Sequence, residues 1–88
     1  MVLLISYDLR RPGQNYTQLY EAIKSYEWWW HHLESTWIIQ TDQQPGDVYS
    51  HLANYIDRND HILVVQLTRN FQGWLPQQAW DWLNARRF

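Results

Sequence analysis

Apolar and polar residues follow one another along the chain in blocks that predict alternating strands and helices. Residues 2–7 form a short apolar run, which is typical of a central strand buried on both faces. Residues 11–13 read Arg-Pro-Gly and have the chemistry of a turn. Asn15 is then the expected N-cap of a first helix over residues 15–26, with Gln18 as its capping-box partner. The first part of the chain is therefore a strand, a turn and a helix.

The next part of the chain contains three further strands and a second helix. Residues 28–41 are rich in strand-forming side chains and are long for a single strand, so we expect two strands with a kink or tight turn near residues 33–35. Pro45 suits the first turn of a second helix over residues 45–56. Residues 61–67 then form another apolar run, which predicts a buried strand.

This order of elements predicts an α+β fold class. The arrangement is the ferredoxin-like βαββαβ fold, with a four-stranded antiparallel sheet and two helices on one face. Pro76 opens a short C-terminal helix, in which Leu75, Ala79 and Leu83 roughly define the inner stripe. The other face of the sheet stays bare in this topology, so we expect a second copy of the chain, helped by the third helix, to cover it.

Composition narrows the class of protein. The chain has 88 residues, of which 45% are hydrophobic, and it shows no repeat or linker, so we expect one domain over residues 1–88. The absence of cysteine excludes disulfide scaffolds and thiolate zinc sites and fits a cytoplasmic protein. We expect no signal peptide and no membrane segment, because the apolar runs are short. The formal net charge of -2 weighs against a phosphate-binding function, since such proteins are usually basic.

Seven tryptophans are more than a small core needs. Tryptophan is enriched at binding surfaces, so the surplus rings either seal a dimer interface or stack on a ligand such as a base. In an extended run of residues 28–30, one ring must face the core and one must face outwards. In the third helix, side chains two positions apart diverge, so we expect one of its two rings to pack and the other to be more exposed. The candidates for stacking or interface contacts are Trp28, Trp30, Trp37, Trp74, Trp80 and Trp82.

Asp8 is the candidate catalytic and metal-binding residue. It ends the first strand just before a loop, and Arg10 and Arg11 follow as candidate phosphate-binding residues. Two Asp8 carboxylates related by a dimer axis would offer oxygen ligands to Mg²⁺ or Mn²⁺, and such an ion would activate water for attack on a phosphodiester. The alternatives are that Asp8 accepts backbone N–H bonds in a turn and that the arginines lie in a solvated loop.

The histidines do not have the spacing of a metal site. His31 and His32 are adjacent in a predicted strand and would point to opposite faces, so they would not ligate one ion together. No metalloprotease-type histidine motif occurs in the chain.

Three segments resemble a known family. Residues 4–16 read LISYDLRRPGQNY, residues 33–39 read LESTWII, and residues 73–83 read GWLPQQAWDWL. Together they resemble small bacterial proteins of the SinR family, which belongs to a superfamily with the CRISPR-associated Cas-two subunit and the VapD-type toxins. The resemblance covers essentially the whole chain, and the link to Cas-two rests on Tyr7, Asp8 and the order of elements.

The resemblance implies a ferredoxin-like homodimer. In the Cas-two branch, the aspartate matching Asp8 is a proposed divalent-metal ligand for nuclease activity, although that branch also acts as a non-catalytic scaffold for DNA. This chain departs from it in its acidic charge and its tryptophan-rich C-terminal helix. We therefore expect a Cas-two-like homodimer that binds nucleic acid or a nucleotide, with metal-dependent nuclease activity as an open question. The alternatives are a non-catalytic module that docks another protein through its tryptophan surface and a dimer that sequesters a nucleotide.

Overall fold

The computed structural model describes residues 1–10 and 16–88. Its elements follow in the predicted order, and the expected tight turn lies at Glu34–Ser35. The predicted turn at Arg11, Pro12 and Gly13 and the predicted N-cap Asn15 lie outside the described residues. The strands are Val2–Asp8 (β1), Trp28–Leu33 (β2), Thr36–Gln40 (β3) and His61–Gln66 (β4), and the helices are Thr17–Lys24 (α1), Pro45–Leu52 (α2) and Gln77–Asn84 (α3).

The four strands form one antiparallel sheet in the order β2-β3-β1-β4. The α+β class and the antiparallel sheet are thus confirmed. β1 lies inside the sheet, as its continuous apolar run predicts, and Ile5 pairs with Trp37 on one side and Val64 on the other. β2 and β4 are the two edge strands.

One face of the sheet carries α1 and α2 and encloses the larger core. Alternate residues of β1 point to this face because side chains alternate along a strand. The helices contribute side chains at helical spacing. Buried together on this side are Leu3, Ile5, Tyr7, Trp37 and Ile39 from the sheet, Leu19 and Ile23 from α1, and Val48 and Leu52 from α2.

The helices of this face are shorter than the sequence pattern predicts. α1 ends at Lys24, where the Ser25 hydroxyl donates to the Ala22 carbonyl at 2.6 Å and occupies an acceptor at the helix end. α2 begins at Pro45 after an extended Gln44, which is the conformation that a following proline favours. A single 3₁₀ turn, Ala53–Tyr55, takes up the rest of the predicted helix.

The other face of the sheet, called the second face below, is partly covered by α3. Ala79 and Leu83 of α3 are buried against Val2, Trp30 and Ile38, and the Trp30 indole donates a hydrogen bond to the Ala79 carbonyl at 3.2 Å. Two members of the predicted inner stripe are therefore buried, and Leu75 is half-buried at its start.

The two tryptophans of α3 differ from the prediction in their exposure. Trp80 and Trp82 are both half-buried, rather than one packed and one exposed. They do point to different neighbours, since the Trp80 ring stacks on Phe71 and the Trp82 ring lies under the Arg86 guanidinium. Phe71 and Arg86, which lie outside α3, therefore cover part of the two tryptophan side chains.

The prediction that β4 is a buried strand is wrong. Leu63 is 62% exposed and Val65 is 41% exposed, and both point to the second face. α3 lies over the β2 and β3 side of this face and leaves the β4 side uncovered. The apolar run of residues 61–67 therefore belongs to an edge strand whose side chains on the second face are exposed.

Candidate functional site

Asp8 is the last residue of β1, and its carboxylate is exposed. The register of the sheet pairs Asp8 with His61, the first residue of β4. Directly opposed residues in an antiparallel pair have Cβ atoms about 4.5–5.5 Å apart, so a carboxylate and an imidazole share one corner of the second face. His61 was not a predicted site residue, because only the strand register brings it to Asp8.

Arg10 is the one predicted phosphate-binding residue that the structure describes, since Arg11 lies outside it. The Arg10 guanidinium contacts Asp8 Oδ2 through Nη2 at 2.7 Å and through Nε at 2.9 Å. Both side chains are more than half exposed, so this ion pair contributes little to stability, about 0–1 kcal/mol. It holds the two predicted site residues together at the strand end.

Asp60 lies next to this corner and is buried, with 9% of its surface exposed. Its carboxylate accepts the backbone N–H groups of Arg10 and Asp57, each at 2.7 Å, and the Tyr16 hydroxyl at 2.9 Å. Burial alone would raise the pKa of Asp60, but these hydrogen bonds stabilise the charged form and hold the pKa below its usual value. Asp60 thereby fixes the backbone that carries Arg10.

A shallow depression of about 250 Å³ lies at this corner. It is lined by Ser6, Tyr7, Asp8, His61, Ile62 and Leu63. Its polar end carries the carboxylate and the imidazole, and its other end continues into the exposed apolar row of β4. A small anion or a polar group of a larger ligand would fit such a depression.

The described residues of a single chain do not form a complete metal centre at this corner. Within residues 1–10 and 16–88, no three histidine or acidic side chains lie close enough to hold an ion. Asp8 and His61 would supply two ligands at most, and Asp8 is already paired with Arg10. Divalent ions take about six oxygen ligands, so the remaining ligands would have to come from a second copy or from substrate phosphates.

The other histidines serve packing contacts. His31 stacks on Trp37, with ring centroids 3.7 Å apart, while His32 lies edge-on to Trp30. These contacts lie on opposite faces of the sheet, which confirms the expectation that the two histidines do not converge. His51 of α2 shares a 3.1 Å hydrogen bond with the Tyr26 hydroxyl, and burial raises the pKa of Tyr26.

Trp37 lies at the centre of an aromatic cluster on the face of the sheet that carries α1 and α2. Its indole N–H donates to the Tyr7 hydroxyl at 3.0 Å, and the Tyr20 ring stacks on it at 6.1 Å. Burial raises the pKa of Tyr7, and the hydrogen bond from Trp37 opposes that shift. These contacts rigidify the strand that ends in Asp8.

The six candidate rings fall into two groups. Trp30 and Trp37 are buried within the protomer, so their faces are occupied by core contacts. The other four reach the surface to different degrees. Trp28 and Trp82 sandwich the Arg86 guanidinium at 4.4 and 4.8 Å, while Trp74 is 99% exposed. Trp74 is therefore the candidate ring that is fully open to a partner.

Comparisons of the chain with protein-family models, with curated proteins and with solved structures find no significant match. None of the helices in residues 1–10 and 16–88 has both the length and the apolar character needed to cross a bilayer.

Proposed function

We propose that this chain is a Cas-two-like homodimer that binds nucleic acid or a nucleotide through phosphate at the Asp8 corner. The ferredoxin-like assignment is part of the proposal. It is supported by the chain order β1-α1-β2-β3-α2-β4 together with the sheet order β2-β3-β1-β4. The exposed second face beside β4 supports the homodimer, since a second copy would cover it.

The observation that carries the proposal is the ion pair of Arg10 with Asp8, the residue that the sheet register pairs with His61 and that lines an open depression. Asp8 uses two of the five guanidinium N–H donors of Arg10. The backbone of Arg10 is held by Asp60, so the side chain projects from a fixed point. A phosphate would accept hydrogen bonds from the remaining donors and from an imidazole N–H of His61, and displacing the exposed Asp8 contact would cost little.

A titration with a mononucleotide and with a single-stranded oligonucleotide tests this proposal. We expect Arg10→Ala to weaken binding by about 10- to 100-fold, the effect of losing a charge-assisted hydrogen bond to phosphate. Arg87→Ala is the matched control, because Arg87 is exposed near Gln40 at the opposite end of the sheet. Affinity should also fall linearly with salt on a logarithmic scale. Equal losses in both variants, or affinity insensitive to salt, would contradict phosphate binding at this corner.

A metal-dependent nuclease is a second candidate, favoured by the cross-strand pairing of Asp8 with His61. Mg²⁺ or Mn²⁺ would supply an activated water, and Asp8 with His61 would help to hold the ion or move a proton. We expect Asp8→Asn to abolish cleavage of an oligonucleotide while the variant stays folded and keeps its assembly state. Cleavage that persists in Asp8→Asn, or that ignores added chelator, would contradict metal-dependent cleavage at Asp8.

A further inference from the structure

Cross-strand rows organise the second face and show which part of it is open. One row crosses all four strands as Leu33, Thr36, Ser6 and Leu63. Its two ends are 47% and 62% exposed leucines, and its middle carries small hydroxyl residues. Small residues between larger ones leave a depression along the middle of a sheet face.

A groove of about 130 Å³ lies beside this row, between the sheet and the segment around α3. Leu4, Leu33 and Thr36 form its sheet side, while Phe71, Leu75 and Trp80 form its other wall. A dry cavity of about 150 Å³ is enough to bind benzene. The groove is slightly smaller than that cavity but is open on one side, so it would admit the six-membered edge of an indole while the rest of the ring stays at the rim.

Trp74 projects from the rim of the same groove. Gln72 and Leu75, on either side of it in sequence, both line the groove, whereas the Trp74 ring is 99% exposed. An exposed aromatic ring and an apolar groove thus lie side by side on the surface of one chain. An isologous dimer needs a self-complementary surface, and this arrangement would supply one, because a two-fold axis between ring and groove would place each ring in the partner's groove.

We infer that Trp74 of each protomer docks into the apolar groove of a second copy of this chain. Each ring would bury about 150–250 Å² of its own surface and a comparable area of groove. Two reciprocal contacts with the neighbouring Leu63 and Val65 would reach the ~1,000 Å² that a specific interface needs. This inference rests on the homodimer in the proposed function and assigns its contact surface.

The chemistry around Trp74 favours a protein surface over a nucleic acid or a membrane. Residues 70–78 read NFQGWLPQQ and carry no charged side chain. Backbone phosphates and anionic lipid headgroups are both recognised through Lys and Arg. An uncharged segment with one exposed indole matches the apolar, uncharged groove beside it.

Sedimentation equilibrium over a series of concentrations tests the inference. We expect the wild-type chain to sediment at twice its 10.8 kDa mass, and Trp74→Ala to weaken the dimer by at least about a hundredfold, since two hot-spot rings are lost. The exposed ring has almost no contacts within its protomer, so the substitution should leave unfolding of the dilute protein unchanged. Trp29→Ala is the matched control, because Trp29 is exposed near Trp37 on the opposite face of the sheet.

A mixing experiment separates reciprocal docking from a general effect on assembly. Thr36→Arg would block the groove and leave Trp74 intact, so each variant alone should be monomeric. A mixture of Trp74→Ala and Thr36→Arg should form heterodimers, since one intact ring then meets one intact groove. If Trp74→Ala dimerises like the wild type, or the mixture stays monomeric, the inference is overturned. A monomeric wild type would overturn it too, whereas failure of phosphate binding shows separately in the Arg10 titration.

Discussion

A single carboxylate, Asp60, connects the segment after β1 with the turn before β4. Its oxygens accept two backbone N–H groups and one hydroxyl from residues up to 50 positions away in the chain. Asp8, by contrast, is exposed and makes a solvent-screened ion pair. The residue that holds the candidate site in place is therefore distinct from the residues that would contact a ligand.

Asp60→Asn should lower the free energy of unfolding by about 1.5–3 kcal/mol at neutral pH, because an amide cannot accept all three hydrogen bonds. The folded pKa is lowered, so the stabilisation is present above the unfolded pKa of about 3.9 and is lost as pH falls through the folded value. Urea unfolding across this range measures both effects. The exposed Asp42→Asn is the control, and a difference from wild type that stays constant into acid would contradict this role.

At the scale of elements, α3 covers one half of the second face. Ala79 lets the helix approach the sheet closely, and its carbonyl accepts the Trp30 indole N–H. Leu83 closes the same contact one turn later. Helices of this length are marginal in water on their own, so the position of α3 depends on this packing.

Leu83→Ala should therefore destabilise the protein by about 2–5 kcal/mol, the usual cost of truncating a buried leucine. The control is Asn84→Ala, which changes an exposed neighbour on the same helix and should cost far less. Guanidinium unfolding of both variants makes the comparison. Equal stabilities would mean that α3 does not contribute to the fold.

At the scale of the whole molecule, the β4 side of the second face is not covered by α3 and exposes apolar side chains. β4 is an edge strand with exposed Leu63 and Val65, and such an edge promotes association unless something covers it. The Asp8 corner, where phosphate binding is proposed, and the apolar groove lie on this same face. Assembly and ligand binding would therefore occur on one surface.

Leu63→Lys should weaken self-association while leaving the stability of the dilute protomer within about 0.5 kcal/mol, because the side chain is already in solvent. Tyr49→Lys, at a similarly exposed position on α2, should affect neither property. Light scattering over a range of protein concentrations measures self-association, and thermal unfolding measures stability. A large loss of stability in Leu63→Lys would place this residue in the protomer core instead.

The runs and spacing of apolar residues along the sequence determined which strands and helices form and which residues of β1 and α2 are buried. The continuous apolar run of residues 2–7 predicts a buried strand, and Leu3, Ile5 and Tyr7 are buried in it. Val48 and Leu52 lie at helical spacing, so local sequence predicts their burial as well. Pro45 likewise marks the start of α2, because proline lacks the N–H that a first turn leaves unpaired. Asp8 at a strand end was predictable in the same way.

Only the tertiary structure decided what surrounds Asp8. The pairing with His61, 53 positions along the chain, follows from the register between β1 and β4, which depends on long-range packing. Burial of Asp60 and exposure of Leu63 depend on where the loops and α3 lie over the sheet. A local apolar pattern cannot distinguish a strand buried on both faces from an edge strand that is buried on one face and exposed on the other.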